Sequence, residues 1–222
     1  MLKCSFGSLF ALFACVVAGC SASAEEPTAE TAPRIVQPGA PGEASTTLSL
    51  EELQAIEVPG YGKADVAFMQ GMIHHHAQAL RMTALVPKRS AGNGIPLLAE
   101  RMEISQLGEI EQMQEWLRTR KQAVPELHRE HGHAHGIGQG RMPGMLTEPQ
   151  LRRLERARGR AFDRLFVRDM IHHHRGALTM VRQLYAAGGG VEPEADAFAR
   201  HVEADQSIEI ARMEQLLVSL GG

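Results

Sequence analysis

The chain has 222 residues, enough for one or two domains, with a formal net charge of −3 and an aromatic content of 5%. That charge gives no electrostatic basis for holding nucleic acid. Hydrophobic residues make up 44%, so with few rings any core has to be built from Leu, Ala, Val, Ile and Met.

Lys3 is followed by an apolar run from Phe6 to Val17, the length of a signal-peptide core and too short for a membrane span. The run ends in Val17-Ala18-Gly19-Cys20, which resembles the lipobox of bacterial lipoproteins. Residues 1–19 are therefore expected to be a lipoprotein signal peptide, and acylated Cys20 the mature N-terminus and membrane anchor. An ordinary secretory signal cut near Ala22-Ser23-Ala24 is the alternative. Ser21 after the cysteine fits sorting to the outer membrane, so the expected location is its periplasmic face or the cell surface. The three cysteines are Cys4, Cys15 and Cys20. A mature chain starting at Cys20 would have no thiol left for disulfides, and soft-metal chemistry would have to use methionine.

Residues 20–60 read as a flexible tether with one short helix. The part up to about residue 47 is rich in Ala, Pro, Thr and Glu and has no apolar periodicity. Ser49-Leu50-Glu51-Glu52 is a capping box for a helix to about Glu57, broken by Pro59-Gly60-Tyr61-Gly62. A folded domain is expected over 61–220. Its first long helix runs from about Ala64 to Val86 and stops at Pro87; the second runs from about Ile95 to Lys121. A connector rich in His, Gly and Met spans about 124–146, and Thr147 caps a short helix to about Arg158. Two further long helices cover about 160–187, ended by Gly188-Gly189-Gly190, and 193–220. No strand is expected.

The halves align. Asp65, Phe68, Met72, Ile73, the histidines 74–76, Ala79, Leu80 and Met82 fall on Asp163, Phe166, Met170, Ile171, the histidines 172–174, Ala177, Leu178 and Met180. Gln106, Glu109, Ile110 and Met113 fall on Gln206, Glu209, Ile210 and Met213. Two copies of a helical hairpin (about 64–121 and 160–220) that cannot bury their apolar stripes alone predict an all-α four-helix bundle.

The repeated string Met-Ile-His-His-His carries the chemistry. At about 100° per residue, Met72, His75 and His76 share one helix face, as do Met170, His173 and His174, while His74 and His172 point away. Each methionine lies one turn before its two histidines, where side chains meet. Met113 and Met213 are placed to add a second sulfur. Glu109 and Glu209 are placed to add a carboxylate, either as ligands or behind them, and Asp65 and Asp163 are candidates to stand behind the ligands. Imidazole with thioether and no cysteine selects copper, with silver as a mimic. No organic cofactor is indicated. His128, His131, His133 and His135 in the connector form an auxiliary metal-capturing tract, or simply a polar linker. The same histidines also admit a buried polar network with Asp65 and Asp163 and no metal. The long helices contain no Glu-x-x-His, which argues against a di-iron oxidase. No activated nucleophile or phosphate loop is present, so no enzyme is expected.

Taken together, Asp65-x-x-Phe68-x-x-x-Met72-Ile-x-His75-His76, Gln106-x-x-Glu109-Ile-x-x-Met113, Met142-Pro-Gly-Met145 and Phe162-Asp-x-Leu-Phe166-x-x-x-Met170-Ile-x-His173-His174-x-Gly176-Ala177 resemble the secreted bacterial family known as domain of unknown function 305. The resemblance covers about 61–218. It implies a ferritin-like helical fold, a periplasmic or surface location, and copper binding through Met72, His75, His76, Met170, His173 and His174. The expected function is copper sequestration or trafficking for metal tolerance. A ferritin-like metallo-oxidase and a structural or interaction lipoprotein without metal are the alternatives.

Overall fold

A computed structural model describes residues 35–127 and 142–221, and the chain divides after Glu57 into two units. The expected signal peptide and the expected lipid-bearing Cys20 lie outside the described residues. In the first unit, β1 (Ile35–Gln37) and β2 (Thr46–Leu48) pair antiparallel with Val36 opposite Thr47. These short strands lie inside a segment expected to be irregular. Ile35, Val36 and Thr47 are β-formers, but three residues a side are too few to show alternation in a sequence. Helix α1 (Leu50–Gln54) follows, with the expected box: Ser49 Oγ accepts from Glu52 N, and Glu52 accepts from Ser49 N at 2.8 Å.

Among its described residues, the second unit contains four long helices and two short ones. Gly62 caps α2 (Lys63–Thr83), its N–H donating to Asp65 at 2.7 Å. Pro87 does not end this helix. It sits in the first turn of the four-residue α3 (Val86–Arg89), where its missing N–H costs nothing. Helix α4 is Gly94–Thr119. Thr147 caps α5 (Glu148–Arg156) through a second capping box with Gln150. Helix α6 (Gly159–Ala186) ends in glycines, two of them, Gly188 and Gly190, at positive φ. Helix α7 (Pro193–Ser219) opens with Pro193, and the Glu192 side chain accepts from Ala195 N at 2.8 Å.

Helices α2, α4, α6 and α7 pack as a bundle, α2 against α4 and α6, and α6 against α7. Their apolar residues fall into two clusters, not one. One cluster holds Phe68, Met72, Met113, Trp116, Ala177, Phe198 and Val202. The other holds Ala79, Met102, Phe162, Phe166, Met170 and Met213. Every long helix passes from one cluster to the other, α2 and α7 in one direction, α4 and α6 in the reverse. Between the clusters each helix contributes buried polar residues: His75 and His76, Gln106 and Glu109, His173 and His174, Gln206 and Glu209. The bundle is thus two dry cores with a polar layer between them. Among the described residues, no helix is long and apolar enough to cross a membrane.

A strap closes over this layer. The segment from Met142 to Thr147, expected as the tail of a non-periodic connector, lies across α2 and α6. Gln78 holds it at both backbone groups of Leu146, donating to the carbonyl at 3.0 Å and accepting from the N–H at 2.7 Å. Gly144 has φ +76°, and its Cα would lie 2.4 Å from any Cβ placed on Gly176, with Pro143 O at 2.2 Å. Only glycine at 176 allows that backbone-to-backbone approach. Gly176→Ala is therefore expected to lower the unfolding free energy by about 1–3 kcal/mol or more, through overpacking. At Gly108, inside α4, an added Cβ meets nothing within 4 Å, so Gly108→Ala is expected to raise it by about 0.5–1 kcal/mol. Urea unfolding of the two variants checks both signs.

Candidate metal centre

The four inward histidines form one row. The His75 and His173 rings, from α2 and α6, lie 3.8 Å apart centroid to centroid with planes 35° apart. His76 flanks His75 at 6.3 Å, and His174 flanks His173 at 6.2 Å. All four are buried, His75, His173 and His174 completely. The outer members of the triplets fall where helix geometry put them: His74 is half-buried and His172 exposed.

The hydrogen bonds decide which nitrogen of each ring is free. His75 Nε2 lies 3.0 Å from the Pro143 carbonyl, which can only accept, so Nε2 carries the proton. His174 Nε2 donates to Glu209 at 2.6 Å, and His76 Nε2 donates to Glu109. In all three rings Nδ1 is buried without a partner, and His173 has no partner at either nitrogen. Gln106 is also buried with its side-chain amide unpaired. Buried polar atoms are normally satisfied, so five bare imidazole nitrogens in one layer call for a ligand. The pattern is that of a metal-binding histidine, whose second nitrogen is held by a carboxylate or carbonyl that sets tautomer and orientation.

The thioethers stand on both sides of the row. Met72 and Met113 are fully buried in the first apolar cluster, Met170 and Met213 in the second. Helix periodicity sets Met72 and Met170 one turn before their histidines. Glu109 and Glu209 are the carboxylates behind the rings. Asp65 and Asp163, expected as alternative partners, bond elsewhere. Asp65 accepts from Gly62 N and, at 2.6 Å, from Gly190 N; Asp163 accepts from Ala91 N at 3.3 Å. Each sits in the first turns of its helix and ties that end of the bundle to the loop beyond a different helix. Pro143 and Gln78 were not singled out by the sequence. The Met-Pro-Gly-Met segment was the only sign of the first, and a buried Gln at i+3 from His75 the only sign of the second. The connector histidines 128, 131, 133 and 135 lie outside the described residues.

Residues 65–217 match the family profile described as Domain of unknown function (DUF305). The chain belongs to this family. A crystal structure of a DUF305 fragment from Deinococcus radiodurans is 32% identical, with TM-score 0.60, covering 72% of this chain and 99% of that one. A DUF305 protein of Streptomyces coelicolor, classed by inference as secreted, is 26% identical, with TM-score 0.60 and coverage of 72% and 93%. CopM in its Cu(I)-bound form is 27% identical, with TM-score 0.55, covering 71% of this chain and 98% of CopM. CopM is also known in Cu(II)-bound and Ag-bound forms. No curated protein matches.

Burial, followed by the neighbouring His76, pushes the His75 pKa down from 6.5 to about 3. Burial and the facing His75 push His173 down as well. The rings stay neutral in the fold while the unfolded chain takes up protons near pH 6.5. Stability from this source is therefore complete above about pH 6.5 and is lost as pH falls below it, toward about 3 for His75. Each such ring adds up to about 1.4 kcal/mol per pH unit to the slope. Urea unfolding of the metal-free protein between about pH 4.5 and 7.5 should show this loss, and the His75→Gln, His173→Gln double variant should flatten it.

Proposed function

We propose that this protein binds copper at the cell envelope, holding Cu(I), or Ag(I) in its place, for sequestration or transfer rather than catalysis. The observation that carries the reading is the row of four buried imidazoles with bare nitrogens, set between fully buried methionines. The donors fit the ion: thioether favours Cu(I) and rejects hard cations, and neutral imidazole accepts it without a charge mismatch. CopM's Cu(I)-, Cu(II)- and Ag-bound forms support the same class of cargo. The proposed ligands are Met72, His75, His76 and Met113 from one half, and Met170, His173, His174 and Met213 from the other. The two halves derive from a duplicated hairpin in a ferritin-like bundle. Because His75 touches His173, they form one continuous site that holds two or more ions. Cys20 carries the lipid anchor, the segment to about residue 60 is the tether, and the connector histidines gather ions outside the bundle.

The test is metal analysis of protein purified from periplasm, followed by Cu(I) chelator competition. Two or more equivalents of Cu(I) or Ag(I) are expected, and His75→Ala with His76→Ala should remove at least one. Stoichiometric iron without copper affinity would instead identify a metallo-oxidase. No metal, with a melting temperature unchanged by copper, would mean that the histidines only form a polar core.

Glu109 and Glu209 hold their histidines from behind, and losing such a partner typically costs 10–100-fold in metal affinity. Glu209→Gln is expected to weaken Cu(I) binding by about that factor while leaving the number of sites unchanged, read by the same competition.

A further inference from the structure

Glu109 uses only one of its oxygens on His76. The other, Oε1, is buried and has no hydrogen-bond partner. It points toward α7, where His201 Nε2 stands 3.5 Å away, and Asp205, one turn further along α7, places Oδ2 3.5 Å from the same nitrogen. The three ligand atoms lie within 4.8 Å of one another. Glu109 is 2% exposed, Asp205 37% and His201 50%, so the group runs from the buried layer to the surface. His201 also lines a cleft of about 640 Å³, shared with Met69, Trp116, Arg120 and Phe198.

We propose that Glu109, His201 and Asp205 form a second cation site, distinct in chemistry from the Met/His row, that takes a divalent ion of the Zn(II), Ni(II) or Cu(II) class. Ligand atoms each about 2.1 Å from a tetrahedral ion sit roughly 3.4 Å apart. The two 3.5 Å separations are close to that edge. One imidazole and two carboxylates match a doubly charged borderline ion, and without sulfur the set does not favour Cu(I). The fourth position faces solvent and takes water. Ser105 Oγ donates to the same Asp205 Oδ2 at 3.5 Å.

The rest of the bundle contains a natural contrast. The offset that carries Glu109 to Glu209 carries His201 back to Arg101 and Asp205 to Ser105. An arginine cannot ligate, so the other half has no such site. The structure thus assigns one outer site for two buried carboxylate–histidine pairs. Glu109 bridges the outer ion and the His76 ring, which links a divalent ion on this face to the buried row.

The experiment is a Zn(II) titration of the full-length mature protein. Histidine ring resonances are followed by NMR and stoichiometry by chelator competition, beside His201→Ala and Asp205→Asn. The His201 ring is expected to shift with the first equivalents, and each variant to lose one equivalent of Zn(II) or bind it at least tenfold more weakly. Ag(I) uptake, which reports the methionine row, should stay unchanged in both variants. Circular dichroism confirms that these exposed substitutions leave the fold intact. Zn(II) stoichiometry and affinity in His201→Ala both equal to those of the unsubstituted protein, or Zn(II) uptake that leaves the His201 ring unmoved, overturns the proposal.

Discussion

Four imidazoles, two carboxylates and two glutamine amides are buried in the layer between the apolar clusters, and each has to be held there away from solvent. A buried polar group with no partner costs about 1–3 kcal/mol on the scale of protein mutations, and an unpaired charge costs far more. The chain meets that constraint asymmetrically at three of the four rings. Glu109, Glu209 and the Pro143 carbonyl accept from the Nε2–H groups of His76, His174 and His75, which removes half of the burden at these rings and fixes the tautomer. The Nδ1 atoms stay bare. A structure built only for stability would pair those too, or replace the layer with leucines. The unpaired nitrogens are the part of the design that stability does not explain.

Much of the remaining architecture serves that layer. The strap from Met142 to Thr147 is pulled down by Gln78, and Gly176 lets it approach α6 closely enough to deliver the Pro143 carbonyl to His75. The aspartates near the starts of α2 and α6 lock the bundle's ends to distant loops, fixing the register in which α2 meets α6. At the far end of the first cluster, Glu192 accepts from Trp116 at 3.1 Å and pairs with Arg120, whose guanidinium lies 4.3 Å over the Trp116 ring. This joins α4 to the start of α7. The hydrogen bonds among these contacts join residues far apart in sequence and tie helices to loops from other parts of the chain.

What could be read from the chain alone follows from which interactions are local. Capping boxes at Ser49 and Thr147, Pro193 at a helix start and the glycines after Ala186 act within four residues, so the helix limits lay close to expectation. The face shared by Met72, His75 and His76 follows from helical periodicity, and with it the outward direction of His74 and His172. Contacts that depend on tertiary approach were not legible. Asp65 and Asp163 looked equally suited to bond histidines, because helix angle says nothing about the loop that arrives from another part of the chain. Pro143 has no side-chain donor or acceptor to draw attention, yet its carbonyl sets a tautomer. His201 is a single histidine on a polar helix face, and only the fold brings it to the free oxygen of Glu109. The facing of His75 and His173 likewise needed the packing of α2 on α6.

The proposed copper site requires that His75, His76 and His174 carry a proton at Nε2 and present Nδ1 to a soft ion. Nitrogen-15 NMR of the imidazoles, recorded on metal-free protein and again after adding Ag(I), tests it most directly. The account predicts Nε2–H tautomers for these three rings, with Ag(I) shifting the Nδ1 resonances and leaving Nε2 protonated. Rings protonated at Nδ1, or Nδ1 resonances indifferent to Ag(I), would contradict it.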